Sequence, residues 1–555
     1  MKKFLSTLLV SAVLCASALA ESVPKVQKAL PFSKGINMPV WLEGSRLNTL
    51  LYNKKDFENI KSLGVEVVRL PVWFEIWNQG APDYKIEGEC FEMIDKAASW
   101  CEELGMFLII DFHNDCDGKS KTNPKIEQVL LKVWPQVAER YKDKGDFLIY
   151  EVMNEPHFKS GNLQADCAKW AKIQGKALKA IRAVDPGRLV VVGGGDWNSL
   201  DSMLKLPDYG DQNLIYNFHD YTPFLFTHQG AGWTNLKRLK NIPFPYDKKK
   251  MPPLPKGADD SERWEWNGYS KAADLGALKA PLDKAVEFAN KRKAALMCDE
   301  FGVLMTYADP SERANWYRLK CGWMDERGII RASWDYIQEF GLFKSPGQAR
   351  FPQDLNAPLL EAMGYKIPSG DQGESWLENA QKSGDWTIYQ NGSAGVLRAQ
   401  GYGAQGSTAF AEDGQGQACV RLKEIAPYGN IAFSFGEPCD FTELAESGAR
   451  LEFEIKTNDK TLAPTVYFRD SESKIFPWRA AAKIKAGGSK ADGQWRAASI
   501  PLKRFMDAGG WSNASGWKNG EGKFSWALVD ALVFENGESA SREGYSIRAI
   551  RIVAP

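Results

Sequence analysis

Two short acidic motifs each follow a β-rich run of the chain: Asn154-Glu155-Pro156 and Glu300-Phe301-Gly302. Cleavage of a glycosidic bond needs one carboxyl group to protonate the leaving oxygen and a second to attack the sugar carbon or to activate water against it. Two neighbouring carboxyl groups do not both ionise easily, so one pKa must rise to make an acid while the other stays low. The sequence therefore predicts Glu155 and Glu300 as a catalytic pair.

Eight β-rich runs alternate with helix-patterned stretches between residues 34 and 364. The predicted strands cover residues 35–38, 65–70, 107–112, 147–153, 189–192, 214–218, 295–298 and 329–334. This alternation is typical of a parallel sheet built from βα units, and eight units make a (β/α)8 barrel, also called a TIM barrel. A doubly wound sheet is the alternative.

The positions of polar and aromatic residues favour the barrel, because its strands end at one mouth where active sites are built. The residues at or just after predicted strand ends are Arg69, His113, Asn154, Glu155, His219, Tyr221, Glu300 and Trp334. Four further carboxylates occur nearby, but their strand positions place them below or beside the rim as structural groups: Asp111, Glu151, Asp299 and Asp335. Singly, Arg69 could instead neutralise Glu66, Glu151 or Asp111, and His113 and His219 could be core histidines.

A long segment between the sixth and seventh predicted strands, residues 222–270, is rich in aromatic residues. It contains Trp233, Trp264, Trp266 and Tyr269 among prolines and lysines. Flat rings stack on the apolar faces of sugars, so we expect this segment to wall a sugar-binding cleft. An insertion that buries its own aromatics is the alternative.

The C-terminal part of the chain has alternating runs separated by Gly, Asp and Asn turns, which predicts an all-β sandwich, jelly-roll-like in layout. We expect a signal peptide at 1–20, a catalytic barrel at 21–367, a short connection at 368–373 and the sandwich, as a carbohydrate-binding module, at 374–555. Five tryptophans of the sandwich could bind sugar or fill its core: Trp478, Trp495, Trp511, Trp517 and Trp526. We expect deletion of residues 371–555 to spare activity on soluble substrates and to lower retention on insoluble glucan.

Charge and cysteine content narrow the class of partner and the compartment. With 70 basic and 70 acidic side chains the net charge is zero, which gives no attraction to nucleic acid or to anionic membrane. Lys2 and Lys3, an apolar run and small residues up to Ala20 are typical of a secretory signal and too short for a membrane span. We expect a monomer exported to the periplasm or the medium, without a lipid anchor. Cys419 and Cys439 could form a disulfide there.

The motifs together resemble glycoside hydrolase family 5, the retaining cellulase family. The resemblance rests on Arg69 in VVRLPV, His113 in DFHN, the NEP motif, His219 and Tyr221 in FHDY, Glu300 in DEFG, and Trp334 in SWDY. It implies a barrel in which Glu155 is the general acid/base and Glu300 the nucleophile. It further implies substrate-binding or supporting roles for Arg69, His113, Asn154, His219, Tyr221 and Trp334, with no cofactor and no metal.

We therefore expect an endo-β-1,4-glucanase, a cellulase acting on cellulose-like β-glucan with retention. An endo-β-mannanase, a xyloglucanase or a lichenase would use the same residues, as would a transglycosylase. A polysaccharide-binding protein without hydrolytic activity is an alternative of another class, although the presence of both Glu155 and Glu300 argues against it.

Overall fold

The computed structural model describes residues 23–113, 121–346, 350–368, 376–391, 393–396, 398–404, 406–412, 417–470, 476–512 and 516–555. The predicted signal peptide, residues 1–20, lies outside these ranges, as does the predicted connection except for residue 368. Within the described ranges, every helix is too short or too polar to cross a lipid bilayer.

The first part of the chain folds into a closed barrel of eight parallel strands in sequential order, which rules out the doubly wound sheet. The strands are β1 Lys34–Asn37, β2 Val67–Val72, β3 Phe107–Phe112, β4 Leu148–Glu151, β5 Val190–Gly193, β6 Leu214–His219, β7 Ala295–Glu300 and β8 Ile330–Ser333. Each observed strand begins and ends within two residues of the predicted one. The predicted (β/α)8 architecture is confirmed.

Helices pack around the strands and bury their apolar faces on them. They are α1 Lys54–Ser62, α2 Gly88–Leu104, α3 Ile126–Tyr141, α4 Leu163–Arg182, α5 Leu200–Met203, α6 Phe224–Thr227, α7 Asp260–Ala272, α8 Leu275–Lys291, α9 Pro310–Arg327 and α10 Ala357–Met363. A 3₁₀ turn, Arg46–Leu50, lies in the loop between β1 and α1.

Alternation along each strand fills the barrel interior in two layers, since successive side chains of a strand point to opposite faces. The lower layer is apolar and contains Val67, Ile109, Ile149, Val191, Ile215 and Met297. Two residues further along the same strands, the upper layer is polar and contains Arg69, Asp111, Glu151, Asn217 and Asp299, all fully buried. The apolar layer closes the barrel below, so these charged groups have to satisfy one another beneath the mouth.

The C-terminal part is a sandwich of two sheets around its own apolar core, as predicted. One sheet contains β9 Trp386–Gln390, β10 Ser393–Ala394, β12 Thr408–Glu412, β13 Ala418–Leu422, β15 Arg450–Lys456, β18 Arg496–Pro501 and β22 Tyr545–Val553. The other contains β11 Arg398–Ala404, β14 Ile425–Cys439, β16 Thr465–Asp470, β17 Arg479–Lys483, β19 Met506–Ser512, β20 Gly516–Lys518 and β21 Val529–Glu535. Two helices, α11 Trp376–Ser383 and α12 Thr442–Ser447, accompany the sheets, with 3₁₀ turns at Gly488–Lys490, Leu502–Arg504 and Trp526–Leu528.

Two expectations for individual side chains are corrected by the structure. Cys419 and Cys439 are buried on strands of different sheets and are not joined in a disulfide. In the 222–270 segment Tyr269 is a core residue, fully buried with its hydroxyl donating to the Pro243 carbonyl, whereas Trp233 and Trp264 are exposed.

Candidate active site

Arg69 occupies the centre of the polar layer and connects it to the mouth. Its guanidinium donates to both carboxylate oxygens of Glu151, at 2.7 and 2.8 Å, and lies 3.1 Å from Asp111. It also donates to Glu300 Oε1 at 2.7 Å and to Asn154 Oδ1 at 2.9 Å. Arg69 therefore neutralises buried carboxylates of the barrel and also contacts the site residues Glu300 and Asn154. Glu66, the third carboxylate considered as its partner, instead accepts from the Ser33 N–H.

Glu300, at the end of β7, is held as a carboxylate by donors on both of its oxygens. Arg69 donates to Oε1, and the Tyr221 hydroxyl donates to Oε2 at 2.9 Å. Burial by itself raises the pKa of Glu300, but the nearby His219 and Arg69 charges outweigh it and bring the pKa below its usual value. Glu300 is thus ionised across the neutral range, as a nucleophile has to be.

Glu155 stands opposite, in the loop directly after β4, and its side chain is 22% exposed, against 6% for Glu300. Its backbone adopts φ +42, in the left-handed region that costs a non-glycine residue of the order of 1–3 kcal/mol. Its Oε1 lies 2.8 Å from His219 Nδ1. A conformation of this cost places the Glu155 carboxyl at the open side of the site.

His219 contacts both glutamates and the polar layer beneath them. Its Nδ1 lies 2.8 Å from Glu155 and 3.5 Å from Glu300, and its Nε2 lies 3.2 Å from Asp299. Burial lowers the pKa of His219, but the Glu300, Asp299 and Glu155 carboxylates outweigh burial and raise it well above the usual value. As an imidazolium, His219 donates from Nδ1 to Glu155 and forms an ion pair with Asp299 through Nε2.

The separation of the two glutamates is the deciding measurement of the site. One carboxylate oxygen of Glu155, one of Glu300 and a nitrogen of His219 all lie within 4.8 Å of one another. Retaining glycosidases hold their carboxyl groups about 5–5.5 Å apart, whereas inverting enzymes need about 6.5–9.5 Å to admit a water. The spacing fits direct attack by a carboxylate on the sugar.

A wall formed by His113 and Trp334 completes the side of the site next to Asn154. His113 Nδ1 lies 2.6 Å from Asp111, and its Nε2 lies 3.2 Å from the Asn154 amide nitrogen. The half-buried Trp334 stacks on His113 with ring centroids 5.6 Å apart. The Trp334 N–H donates to the carbonyl of Phe301, the residue after Glu300. Trp334 thereby presents a flat apolar surface beside Glu300.

The sequence analysis missed Glu43, in the loop after β1. Its Oε2 lies 3.5 Å from His113 Nε2 and is buried, and burial raises the pKa of its carboxyl. The signal that could have found it was an acidic residue in Trp41-Leu42-Glu43-Gly44, just after the first strand, since most of the other strands contribute a polar group at their ends.

Trp197, in the loop after β5, was missed as well. It is 40% exposed and stacks on His157, two residues after Glu155, with ring centroids 3.5 Å apart. The two rings border a pocket of about 300 Å³ that also contains Pro156, Phe158 and Asp196. An apolar ring is therefore available on the Glu155 side of the site as well as on the Trp334 side.

The donor set at the site does not suit a metal ion. In the part of the chain that the structure describes, two groups of side chains come close enough to ligate one: Glu151, His219 and Asp299, and Glu155, His219 and Glu300. Both depend on His219, which would have to be neutral to ligate a cation. Its Nδ1 faces Glu155 at 2.8 Å and its Nε2 faces Asp299 at 3.2 Å, which suits a protonated imidazole between carboxylates.

Comparison with known proteins gives the family. Residues 32–339, more than half of the chain, match the family model for cellulase, glycosyl hydrolase family 5. This chain belongs to glycosyl hydrolase family 5. The enzyme class expected from the sequence, a glycoside hydrolase on a barrel, is thereby confirmed.

The part of this family 5 chain beyond the barrel matches a second family model. Residues 374–554 match carbohydrate binding domain 30. A polysaccharide is therefore the ligand class of both parts of the protein, in agreement with the sequence analysis.

Several named relatives share the barrel of this family 5 protein. Endoglucanase C of Acetivibrio thermocellus is 29% identical over 323 residues, which are 55% of this chain and 91% of that protein. Endoglucanase 3 of Fibrobacter succinogenes is 26% identical over 344 residues, 58% of this chain and 52% of that protein. Among solved structures, endoglucanase Cel5A of Thermotoga maritima is 26% identical and covers 60% of this chain and 96% of its own, with a TM-score of 0.48.

The structure brings every residue predicted for the site into one connected cluster. Glu155 and Glu300 face each other, and Arg69, His113, Asn154, His219, Tyr221 and Trp334 contact one of them or one another. Asp111, Glu151 and Asp299 lie beneath the cluster as predicted. Asp335 is buried and accepts backbone N–H groups from Gln338 and Phe340, which is a structural role.

Proposed function

We propose that this family 5 protein is an endo-β-1,4-glucanase that cleaves internal bonds of β-glucan with retention. The observation that carries the proposal is the pair of carboxylates within 4.8 Å, one ionised by its surroundings and one more open to solvent. The substrate class is supported by the named relatives, which are endoglucanases.

In the proposed mechanism the Glu300 carboxylate attacks the anomeric carbon while Glu155 protonates the departing glycosidic oxygen. The C–O bond to the leaving chain breaks as the bond from carbon to Glu300 forms, which gives a glycosyl–enzyme ester. Glu155, now a carboxylate, then takes a proton from water, and the water oxygen displaces Glu300. Two inversions at the same carbon give net retention.

The neighbouring residues have roles that follow from their contacts. Arg69 and Tyr221 keep Glu300 ionised and oriented, because they donate to its two oxygens. The Asn154 side chain, whose oxygen accepts from Arg69, is placed to bind the sugar 2-hydroxyl, whose contacts strengthen in the transition state. Trp334 is placed to stack under the sugar beside the cleavage point.

The proposal is tested by release of reducing sugar from carboxymethylcellulose, barley β-glucan, xyloglucan and mannan. We expect activity on carboxymethylcellulose and β-glucan, a falling viscosity that shows internal cleavage, and a product that NMR shows first as the β-anomer. Activity on mannan or xyloglucan alone would change the substrate, and absence of hydrolysis on every polymer would contradict the proposal.

The roles of the two glutamates are tested by variants and by azide. We expect Glu300→Ala and Glu155→Ala each to lower kcat by about 10⁴-fold on polymer, since each removes a reacting group. With an activated aryl cellobioside, azide should restore turnover in both variants, giving an α-glycosyl azide with Glu300→Ala and a β-glycosyl azide with Glu155→Ala. If Glu300→Ala instead gave the β-glycosyl azide and Glu155→Ala the α-glycosyl azide, Glu155 would be the nucleophile and Glu300 the acid/base. Glu139→Ala, an exposed glutamate of α3, is the control and should equal the wild type.

We further propose that the protein is exported as a monomer after cleavage near Ala20. The proposal rests on the basic, apolar and small-residue zones of residues 1–20. N-terminal sequencing of protein from the culture medium and periplasm, with light scattering for mass, tests both parts. An uncleaved intracellular protein, or a dimer, would contradict it.

For the C-terminal domain we propose a glucan-binding face around Trp511 and Trp517. The two residues lie opposite each other on β19 and β20, so both rings project on the same side, and they are 57% and 49% exposed. Arg479 lies 4.6 Å from the Trp517 ring and 4.7 Å from the Tyr467 ring. A row of flat rings on an open sheet face suits an extended glucan chain.

A further inference from the structure

The barrel and the sandwich share an interface that reaches the active-site loop. Leu47 and Leu50 belong to the 3₁₀ turn of the barrel's β1–α1 loop, yet they are 0% and 8% exposed and form part of the apolar core of the sandwich. Without the sandwich both leucines would face water. The β1–α1 loop is therefore completed by the second domain.

The closest approach between the domains occurs at Gly401 of β11. A Cβ atom at this position would lie 2.1 Å from the Cβ of Leu47, so only glycine allows the two segments to meet as they do. The Gly401 N–H donates to the Asn48 side-chain oxygen at 3.2 Å. The contact is specific in shape and in hydrogen bonding.

A buried ion pair lies beside this contact. Arg398, 5% exposed, donates to Asp56 at 3.1 Å and to the Leu51 carbonyl at 2.9 Å. Asp56 is itself 6% exposed and accepts from the Asn53 N–H in the cap of α1. Loss of Arg398 would leave a buried carboxylate without its cation, which is a large penalty for the docked state.

Two short series of contacts lead from the interface to the site. In the first, Asn48 donates to the Val40 carbonyl at 2.8 Å, Glu43 follows three residues after Val40 in the same loop, and Glu43 lies 3.5 Å from His113.

In the second series, the Arg398 guanidinium lies 5.7 Å from the Tyr52 ring, and Tyr52 lies 6.0 Å from Tyr336. Tyr336 is two residues after Trp334, and its N–H donates to the Asn37 carbonyl. Both series end at the wall formed by His113 and Trp334.

We propose that the sandwich is a fixed part of the catalytic unit, in which Arg398 and Gly401 are positioning residues that hold the β1–α1 loop and, through Glu43 and Tyr336, the wall of the sugar site. The inference rests on the proposed function for its catalytic consequence. It predicts that deletion of residues 371–555 lowers activity on soluble substrates as well, contrary to the expectation from the sequence alone.

The test uses the full-length chain with Arg398→Ala, Arg398→Lys and Gly401→Ala, and with Arg496→Ala as the control. Arg496 is an exposed arginine of the same domain that pairs with Asp492 on the surface. The substrate is 4-nitrophenyl β-cellobioside, which is too short to bridge to the sandwich. Circular dichroism first establishes that each variant is folded at the assay temperature.

We expect Arg398→Ala and Gly401→Ala to lower kcat by about ten- to a hundredfold, because displacement by about 1 Å of a group at the site is enough for such a loss. KM should change less than kcat. Arg398→Lys, which keeps the positive charge, should recover part of the kcat, and Arg496→Ala should equal the wild type. Wild-type kcat in folded Arg398→Ala and Gly401→Ala would overturn the positioning role.

A second readout does not depend on activity. With only four histidines in the chain, the His113 imidazole resonance can be assigned from an H113N spectrum. We expect this resonance to move in Arg398→Ala and Gly401→Ala but not in Arg496→Ala, and we expect the wild-type domains to unfold in one calorimetric transition. An unmoved resonance or two independent wild-type transitions would overturn the inference. Absence of hydrolysis by the wild type, with these two results as expected, would count against the proposed function alone.

Discussion

Each ionisable group at the site takes its protonation state from a small number of neighbours. Glu300 is ionised because Arg69 and His219 outweigh the cost of its burial. Burial lowers the pKa of His113, but the Glu43 and Asp111 carboxylates outweigh burial and raise it to about 9. His113 is therefore an imidazolium across the neutral range, with Nδ1 donating to Asp111 at 2.6 Å and Nε2 facing the Glu43 carboxylate at 3.5 Å.

The role of Glu43 is open to a pH experiment. We expect Glu43→Gln to lower the pKa of His113 by about one pH unit or more, since one of its two opposite charges is removed. A histidine whose pKa rises from 6.5 to about 9 on folding contributes stability that is full below pH 6.5 and is lost as the pH rises to about 9. The thermal midpoint of the wild type should fall over this range, and that of Glu43→Gln should fall less.

The measurement is an NMR titration of the His113 imidazole, together with calorimetry from pH 6 to 9.5. The exposed Glu139→Gln is the matched control and should keep the wild-type pKa. An unchanged His113 pKa in Glu43→Gln would mean that Asp111 alone sets it.

At the scale of elements, the ends of β7 and β8 have to approach each other closely to set Glu300 beside Trp334. Gly302 permits this approach, because a Cβ atom there would lie 2.5 Å from the Trp334 carbonyl oxygen and 3.0 Å from the Phe340 ring. The Trp334 N–H in turn donates to the Phe301 carbonyl. The glycine after the nucleophile motif is thus a packing requirement of the β7–β8 pair.

We therefore expect Gly302→Ala to lower the free energy of unfolding by about 1–3 kcal/mol, as for overpacking in other cores. It should also lower kcat, since Trp334 has to move away from Glu300. Gly322→Ala is the control, because Gly322 lies inside α9 with no atom within 4 Å of its added Cβ. That change should be neutral or stabilising. Denaturant unfolding and kcat on carboxymethylcellulose are measured for both variants. If Gly302→Ala has the stability and kcat of the wild type, the ends of β7 and β8 can separate at no cost.

At the scale of the whole molecule, the two domains place two kinds of sugar surface on one protein. The barrel offers a site with reacting groups, and the sandwich offers Trp511 and Trp517 on a sheet face that faces solvent. The buried contact through Arg398 and Gly401 fixes the sandwich on the barrel. The proposed glucan-binding face would thereby keep a set position relative to the mouth.

We expect the double variant Trp511→Ala/Trp517→Ala to bind insoluble cellulose at least about tenfold more weakly, since exposed aromatic anchors carry most of the energy of such contacts. Hydrolysis of 4-nitrophenyl β-cellobioside should stay at the wild-type rate. Tyr428→Ala, an exposed aromatic of β14 in the same sheet, is the control and should bind as the wild type does. If the double variant binds cellulose as tightly as the wild type, the binding face lies elsewhere on the sandwich.

The sequence by itself determined the order of the barrel strands and the eight residues of the predicted site. Strands are local, so the runs around Val67, Ile109 and Ile215 identify them without knowledge of neighbours. In a closed parallel barrel, all strand ends meet at one mouth, so polar residues at the ends had to come together once the fold was known. This is why Glu155 and Glu300 could be predicted as a pair although 145 residues separate them.

Only the tertiary structure decided which residues outside the strand ends belong to the site and how the two domains meet. Glu43 reaches His113 from a loop whose path is set by Leu47 packing into the sandwich, and no local pattern records that contact. Exposure of Trp511 and burial of Tyr269 likewise depend on what other segments cover them. Local periodicity specifies elements, whereas contacts between distant loops are set by distances that exist only in the folded chain.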